Sequence, residues 1–372
     1  MSGLTIQFTG LKKQYHNLRQ EILNATDEVL RSGQLMNGNH TAEFENWLAK
    51  RNRSKYAVTV HSGTCALECI AEYYVDQLTT INHPTVLIPS MTYAATANAF
   101  ARAGWQIHFV DTDKFGIFDF NKTPDIDRFD ALVLVGLYGL GIHDYGNLEK
   151  FNQTLRLRNL IVIEDAAQHW LSSGGIRIGQ AAAISFDPMK NLNAIGNGGA
   201  IVTDDVNLYY FARAWRDNGK DNHVQNGTNS RMSEVDCAVL MIKTHYIDQW
   251  QKRREEIATY WRSRLAKTGV RCLINNENAR GHGYQKFVID CDHRDQLQNE
   301  LKKHKIETRI HYQYPLHELS VFRQYPGPDI LSSASALSRR VLSLPFYPEL
   351  SDLEVEYVVD QVLDCVAEID SR

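Results

Sequence analysis

The stretch LIVIED, residues 160–165, is a short β-branched run that ends in two acidic residues. Four similar runs precede it: YAVTV at 56–60, TVLIP at 85–89, WQIHFVD at 105–111 and ALVLVG at 131–136. Helical stretches alternate with these runs, and this order is typical of an α/β fold with a mostly parallel sheet. Two further runs, AAAISFD at 181–187 and GGAIVTD at 198–204, have no helix between them. We therefore expect an antiparallel element there and a mixed sheet.

The length of the chain and the pattern of its second half predict two domains. With 372 residues, of which 43% are hydrophobic, the chain exceeds the usual size of one domain. A charged helical pattern begins at Ser233, and after it come the strand GYQKFVIDC, a helix from about Arg294 and a final helix from Asp352. We predict a large domain over residues 1–245 and a smaller C-terminal α+β domain over residues 246–372. A predicted helix around 14–31 caps one of the two.

The composition argues against several classes of partner. A formal net charge of −4 provides no basic field that would attract nucleic acid or an anionic membrane. The N-terminus lacks the apolar stretch of a signal peptide, and no apolar run is long enough to span a bilayer, so we expect a cytoplasmic protein. The six cysteines form no CxxC pair, which favours a reducing compartment and predicts no metal site.

The residues that follow the first strand are suited to an anion. Parallel sheets bind ligands beyond the carboxyl ends of their strands, and His61-Ser62-Gly63-Thr64 comes directly after YAVTV and opens a helix. Small hydroxyl residues and a glycine at a helix N-terminus suit a phosphate, because free N–H groups and the helix dipole favour negative charge. An ordinary helix N-cap accounts for the same residues.

Three more candidates follow other strands of the same sheet. Asp165 ends LIVIED, where a carboxylate suits either a pyridinium nitrogen or the cap of the next helix. Lys190 lies between an apolar strand and a glycine-rich stretch, which fits a nucleophile and general base, or a solvated charge. Tyr93 follows TVLIP and is suited to stacking on a flat cofactor or to packing in the core.

Together these motifs resemble one known family. The matching stretches are SGTCAL at 62–67, PSMTYAATANA at 89–99, VDTD at 110–113, EDAAQ at 164–168, SFDPMKNL at 185–192, GNGGAIVTDD at 196–205, NSRMSE at 229–234 and IETRIHY at 306–312. In this order and spacing they make the chain similar to the sugar aminotransferases of the DegT/DnrJ/EryC1/StrS family. The resemblance implies a fold type I transferase that depends on pyridoxal 5′-phosphate (PLP).

The resemblance also implies roles for single residues. Lys190 would form the Schiff base with PLP and carry the proton during amino transfer, and Asp165 would pair with the pyridine nitrogen. Gln168 would contact the ring hydroxyl, and Tyr93 would stack on the ring.

The implied phosphate site involves two subunits. Gly63, Thr64 and Ser185 would hold the phosphate from one chain. Asn229 stands where the family has an asparagine that completes this site in the neighbouring subunit. A homodimer is therefore part of the expected active site.

The implied reaction moves an amino group from L-glutamate to a ketosugar attached to a nucleotide. Related enzymes that dehydrate sugars carry histidine at the lysine position, so Lys190 favours transamination. The stretch SFDPMKNLNAIGNGG at 185–199 resembles enzymes that aminate C3 of a dTDP-linked keto-6-deoxyhexose. Amination at C4 of a dTDP- or GDP-linked 4-keto-6-deoxyhexose is the alternative, because Asn197 and the bulky pair His169-Trp170 depart from the pattern.

Two histidines are candidates for the sugar substrate. The spacing of His311 and His317 in HYQYPLH resembles that of the C3 enzymes, and either residue could reach the sugar or its diphosphate. A structural histidine with satisfied hydrogen bonds is an equally good interpretation of each.

Two other classes of protein share parts of the pattern. A nicotinamide oxidoreductase would carry GxGxxG after its first strand, and the chain has none there. A non-catalytic PLP-fold binding protein would lack the lysine, the acid that pairs with the ring or the phosphate ligands, whereas the chain has all of these. We therefore expect an enzyme.

Overall fold

The larger sheet of the protein contains seven strands. The computed structural model describes residues 4–371 apart from 79–82, 120–122, 124–125, 142–159, 173–174, 176–178, 221–222, 224, 267, 280 and 326–330. The strands are β1 (Tyr56–Val60), β2 (Thr85–Pro89), β3 (Gln106–Val110), β4 (Ala131–Val135), β5 (Ile161–Asp165), β6 (Ala181–Ser185) and β7 (Gly199–Thr203). They lie in the order β1-β7-β6-β5-β4-β2-β3.

One strand runs against all the others. β7 pairs antiparallel with both β1 and β6, whereas the remaining neighbours pair in parallel. The antiparallel β6–β7 pair aligns Ser185 with Gly199, and residues 186–198 between them form the connection that carries Lys190. The predicted α/β fold with a mixed, mostly parallel sheet is confirmed.

Both faces of the sheet are covered by apolar layers. Along β4, Ala131, Val133 and Val135 join one buried cluster, while Leu132 and Leu134 join another. Side chains of a strand alternate between its faces, so a strand that is covered on both sides must be apolar throughout. This explains why the strands read as unbroken hydrophobic runs in the sequence.

Ten α-helices lie in the described part of the chain. In chain order they are α1 (Leu11–Ser32), α2 (Asn39–Arg51), α3 (Gly63–Gln77), α4 (Ala94–Arg102), α5 (Val206–Trp215), α6 (Glu234–Thr244), α7 (Ile247–Leu265), α8 (Arg294–Lys303), α9 (Ser332–Arg340) and α10 (Asp352–Asp370). α3 packs against β6 and β7, and its N-terminus therefore lies at the edge of the sheet where β6 ends. None of the described helices combines the length and apolar character needed to span a membrane.

A second, smaller sheet lies in the C-terminal part. Its strands are β8 (Arg271–Cys272), β9 (Phe287–Asp290) and β10 (Val341–Leu344), all antiparallel, in the order β10-β9-β8. α7, α8 and α10 surround a core of their own with this sheet. Ile6 also packs in this core, and its backbone forms a parallel β-bridge with that of Ile306. The N-terminal segment therefore lies with the C-terminal part. We propose the boundary near residue 245, between α6 and α7.

A buried glutamate from α6 caps the start of α2. The N-cap residue Gly38 has no side chain to accept hydrogen bonds. Glu234 replaces that cap, because its carboxylate accepts from the backbone N–H groups of Gly38 and His40, at 2.8 and 2.6 Å, and from the Thr41 hydroxyl at 2.5 Å. This interaction explains the acid in the NSRMSE stretch and joins two helices that are far apart in the sequence.

We predict that Glu234→Gln destabilises the protein by about 2–3 kcal/mol, because an amide NH₂ would face buried N–H donors in place of a carboxylate oxygen. Urea unfolding followed by circular dichroism measures the change. Glu356→Gln, at an exposed position of α10, is the matched control and should leave the midpoint unchanged. Equal midpoints for both variants would contradict the role of Glu234 as a cap.

Candidate active site

A cavity of about 400 Å³ lies at the carboxyl ends of the parallel strands. A volume of this size is sufficient for a small organic ligand. Eight residues that the sequence singled out line it: Gly63, Thr64, Tyr93, Asp165, Gln168, Ser185, Lys190 and His311. His317 and Asn229 do not line this cavity.

The N-terminus of α3 forms one end of the cavity. Ser62 caps the helix by accepting from the backbone N–H of Cys65 at 3.1 Å. A Cβ on Gly63 would stand 2.8 Å from the Cβ of Ser185, so only glycine lets the helix approach the end of β6 this closely. Gly199 plays the matching part on β7, because a Cβ there would overlap the backbone of Ser62. The sequence therefore brings backbone N–H groups and small hydroxyl residues together.

Asp165 is buried at the end of β5 and held by two hydrogen bonds. Its Oδ2 accepts from the Thr96 hydroxyl at 2.7 Å, and its Oδ1 accepts from the backbone N–H of Ala167 at 3.2 Å. The Thr96 hydroxyl in turn lies 3.1 Å from that of Thr92. Because the proton of Thr96 is given to Asp165, Thr92 is the donor in that second contact. This chain of hydroxyls fixes the carboxylate towards the cavity.

Lys190 lies in a turn whose backbone is held by two hydrogen bonds from the side chain of Gln285. Gln285 donates from its Nε2 to the carbonyl oxygen of Met189 at 2.8 Å and accepts with its Oε1 from the backbone N–H of Asn191 at 3.1 Å. Asn191 is held as well, by hydrogen bonds to Gln251 and to the carbonyl oxygen of Gly283. The residues on both sides of Lys190 are therefore fixed by side chains from the C-terminal part.

The surroundings of the cavity lower the pKa values of its two lysines. Burial lowers the pKa of Lys190, and the carboxylates of Asp165 and Asp187 oppose that shift. A second lysine, Lys286, lines the same cavity, and burial together with the charge of Lys190 lowers its pKa to about 7. An amine with a lowered pKa has a larger neutral fraction and can act as a nucleophile or base near neutral pH.

Gln168 and Tyr93 both contact Tyr312 at the cavity wall. Gln168 accepts from the backbone N–H of Tyr138 at 2.8 Å and donates to the Tyr312 hydroxyl at 3.2 Å. The Tyr93 ring lies 5.8 Å from the Tyr312 ring at an interplanar angle of 31°. Tyr93 is 60% exposed, so its ring is not part of the packed core.

The two candidate histidines have different surroundings. His311 is buried beside the cavity, its Nδ1 lies 2.8 Å from the Ser343 hydroxyl, and burial followed by the charge of Lys286 lowers its pKa to about 2. His311 is therefore neutral at physiological pH. His317 lies outside the lining, with its Nδ1 2.6 Å from the Ser90 hydroxyl and its Nε2 3.4 Å from that of Ser335. These contacts hold His317 in place as part of the fold.

Asn229 is exposed on the surface, and its backbone forms an isolated antiparallel β-bridge with that of Asp217. Since Asn229 does not line the cavity of its own chain, any contact with a phosphate there would have to come from a second copy.

The bulky pair after EDAAQ is accommodated in the core behind the cavity. His169 is fully buried, with its Nε2 3.1 Å from the carboxylate of Glu164, and a Cβ on Gly136 would overlap its ring. Trp170 packs edge-on against Trp47 and Phe186. Neither His169 nor Trp170 lines the cavity, whereas Asn197, the other departure from the family pattern, does.

Five residues near the site carry no prediction from the sequence. They are Thr92, Thr96, Gln285, Lys286 and Tyr312. Thr92, Thr96 and Tyr312 lie inside stretches that match the family, and this location could have indicated them. Gln285 and Lys286 lie in GYQKFVIDC, which the sequence predicts as an ordinary strand. Only tertiary packing brings this stretch to the cavity.

Comparison with known proteins identifies the class. The model of the DegT/DnrJ/EryC1/StrS aminotransferase family matches residues 16–363. The chain belongs to this family, and the resemblance predicted from its motifs is confirmed. It is an aminotransferase by class.

Three similar proteins illustrate the range of the family. A dTDP-3-amino-3,6-dideoxy-alpha-D-galactopyranose transaminase from Aneurinibacillus thermoaerophilus is 32% identical, with 96% of this chain and 98% of the relative covered. A protein from Geobacillus stearothermophilus named pleiotropic regulatory protein is 31% identical, with 97% and 98% covered. The crystal structure of S. venezuelae DesV, solved in complex with a ketimine intermediate, superposes with a TM-score of 0.88 at 31% identity over 97% of this chain and 98% of that chain.

We predict that Thr96→Val lowers the free energy of unfolding by about 1–2 kcal/mol, since it leaves the buried Asp165 carboxylate with one hydrogen bond fewer at nearly unchanged volume. Thermal unfolding measures the effect. Thr96→Ser keeps the hydroxyl and should lose less stability than the valine variant. A serine variant that is as unstable as the valine variant would assign the loss to packing of the methyl group.

Proposed function

We propose that this chain is a cytoplasmic, PLP-dependent enzyme that transfers the amino group of L-glutamate to C3 of a nucleotide-linked keto-6-deoxyhexose. The observation that carries the proposal is the meeting of Lys190 and Asp165 on one cavity beside a helix N-terminus. A lysine with a lowered pKa and a buried acid are the two groups that a PLP site requires.

The residues of the cavity fit PLP. The first turn of α3 offers the backbone N–H groups of Gly63 and Thr64 to a phosphate, and Ser185 adds a hydroxyl. The tight contact between Gly63 and Ser185 leaves no room for a larger side chain at this end. Asp165 lies at the strand end with its carboxylate fixed, where it would hold a proton on the ring nitrogen. The ring hydroxyl and the ring face would meet Gln168 and Tyr93.

The chain itself positions groups and moves one proton. When bound, PLP supplies an electron sink for the charge left by the departing proton. Lys190 Nζ takes that proton as a neutral amine, which its lowered pKa favours, and returns it to a different atom. The clamp from Gln285 keeps the Lys190 backbone in place while the side chain moves. His311, which stays neutral, offers a hydrogen-bonding group without adding positive charge.

The sugar substrate is supported by the relatives and by the motifs. The Aneurinibacillus relative is named for a product that carries its amino group on C3 of a dTDP-linked sugar. The stretch at 185–199 has the form that we associate with C3 amination. Amination at C4 remains the second candidate.

The position aminated can be measured directly. The enzyme, PLP and L-glutamate are incubated with dTDP-linked 3-keto and with dTDP- and GDP-linked 4-keto sugars, and the products are examined by NMR. Amination of the 3-keto sugar supports the proposal. Turnover of the 4-keto sugar alone would replace it with the C4 alternative.

We predict that Lys190→Ala lowers turnover about a thousandfold or more, because it removes the amine placed to bind PLP and to accept and return the proton. The measurement is the absorbance of the PLP-loaded protein before and after L-glutamate, followed by turnover with the ketosugar. Lys302→Ala, at an exposed position on α8, should behave as wild type. A variant without Lys190 that still responds to glutamate and turns over would remove that residue from the role. A wild-type protein that binds PLP without amino transfer would favour a non-catalytic binding protein.

We also propose a homodimer in which Asn229 of one chain completes the phosphate site of the other. Its support is that Asn229 is exposed and lies away from the cavity of its own chain. The size of the assembly can be measured by sedimentation of the purified protein.

We predict that inactive Lys190→Ala and Asn229→Ala chains regain activity when they are mixed and allowed to exchange. One site of each hybrid dimer then has both residues intact, so random exchange should give about a quarter of wild-type activity. A mixture of Lys190→Ala and Asp165→Ala chains is the control. It should stay inactive, because both residues belong to the site of the same chain and each site of a hybrid dimer therefore lacks one of them. Activity equal to the sum of the separate variants would contradict the shared site.

A further inference from the structure

Lys286 is a buried lysine whose ammonium group has no acceptor among the described residues. Only 6% of its surface is exposed, and it lines the same cavity as Lys190. Its ammonium group has no hydrogen bond or ion pair with any described residue, and it lies 5.9 Å from the centre of the Phe8 ring. A buried ammonium is costly unless an anion pairs with it. The missing anion is therefore expected from a ligand.

The charges that face Lys286 leave this side of the cavity positive. The cations that act on it are Lys190, Arg254 and Arg309, and one acid, Asp187, opposes them. The neighbouring His311 is neutral. Two guanidinium charges, those of Arg254 and Arg309, therefore act on an anion bound at Lys286. The nearby carboxylates are those of Asp187 and of Glu349, which lines the cleft described next.

Lys286 also lines a second space that the expected phosphate site does not share. Besides the main cavity, Lys286 lines a narrow cleft of about 40 Å³, and the cleft shares Met189 and Lys190 with the cavity. Gly63 and Ser185 line the main cavity and not the cleft. A space of this size accepts a few water-sized groups, which suits a carboxylate and excludes a nucleotide diphosphate.

We propose that Lys286 binds a carboxylate of the amino donor and so selects an acidic amino acid as the first substrate. This inference rests on the proposed function, because it names the residue that recognises the donor in that reaction. The carboxylate would lie next to Lys190, where the amino group is released, and would supply the ion pair that the chain does not provide.

The test uses glutarate, which carries the two carboxylates of glutamate but has no amino group to transfer. Isothermal titration calorimetry measures its binding to the PLP-loaded protein. Lys286→Met should weaken binding about tenfold or more, because it removes a charge-assisted hydrogen bond at nearly equal side-chain length. Lys302→Met, at an exposed position, is the control and should not change the affinity.

Three further measurements separate a binding role from a structural one. The melting temperature of Lys286→Met should not fall, since an apolar side chain replaces an unpaired buried charge. Lys286→Arg should recover glutarate binding. Binding of dTDP, the probe for the nucleotide, should be unchanged in Lys286→Met.

The pH dependence has a definite sign. The pKa of Lys286 in the free site is about 7 because burial, followed by the charges of Lys190 and Arg254, lowers it. Glutarate affinity should be highest at low pH and fall as Lys286 loses its proton, towards the affinity of Lys286→Met. In Lys286→Arg the guanidinium keeps its charge, so the fall should disappear.

Two results would overturn the proposal. One is a wild-type protein that does not bind glutarate, and the other is a Lys286→Met variant with unchanged affinity for glutarate or with a loss confined to dTDP. Failure of the proposed function gives a different result, because glutarate would then bind through Lys286 while L-glutamate leaves the absorbance of the loaded protein unchanged.

Discussion

The parallel register of β4, β5 and β6 is the constraint on which the site depends. It aligns Val135 with Asp165, and Asp165 with Ala183, so β4 and β5 end at one level of the sheet and β6 extends two residues further, to Ser185. β7 runs back against β6, and its first residue, Gly199, lies against the N-terminus of α3. Residues from distant parts of the sequence meet at this edge because the backbone hydrogen bonds fix the strand ends first.

The site combines an acid that is held in place, Asp165, with a lysine whose side chain is less constrained, Lys190. Asp165 has its carboxylate held by Thr96 and by a backbone N–H, whereas Lys190 has a fixed backbone and a side chain that is free of hydrogen bonds to described residues. Such a division suits amino transfer, in which the ring must stay oriented while one proton moves. The electrostatic field of the cavity is positive on the side of Lys286, so the two ends of the cavity favour different groups of the ligands.

The sequence predicted the sheet, and it placed Lys190 and Asp165 after strands whose ends meet at one cavity, because these signals are local. Apolar runs mark strands, and the residue after each run must lie at the sheet edge. The hydrogen bonds of Gln285 to the Lys190 turn join residues more than ninety positions apart, and no periodicity indicates them. The sequence did not indicate Lys286, because this residue lies in a run that is typical of a strand. A motif singled out His317 as a substrate residue, although its ring is hydrogen-bonded to Ser90. The predicted domain boundary also says nothing of Ile6, which crosses to the C-terminal core.

The position of Phe8 matters for practical work on this enzyme. Its ring stacks on His311 at 5.9 Å and lies beside Arg309 at 5.4 Å, so the extreme N-terminal segment forms part of the wall near the cavity. Limited proteolysis or a bulky fusion at this end would disturb the wall directly. α10 packs in the second core and lines neither the cavity nor the cleft, so a tag or a support attached after it should leave this wall intact.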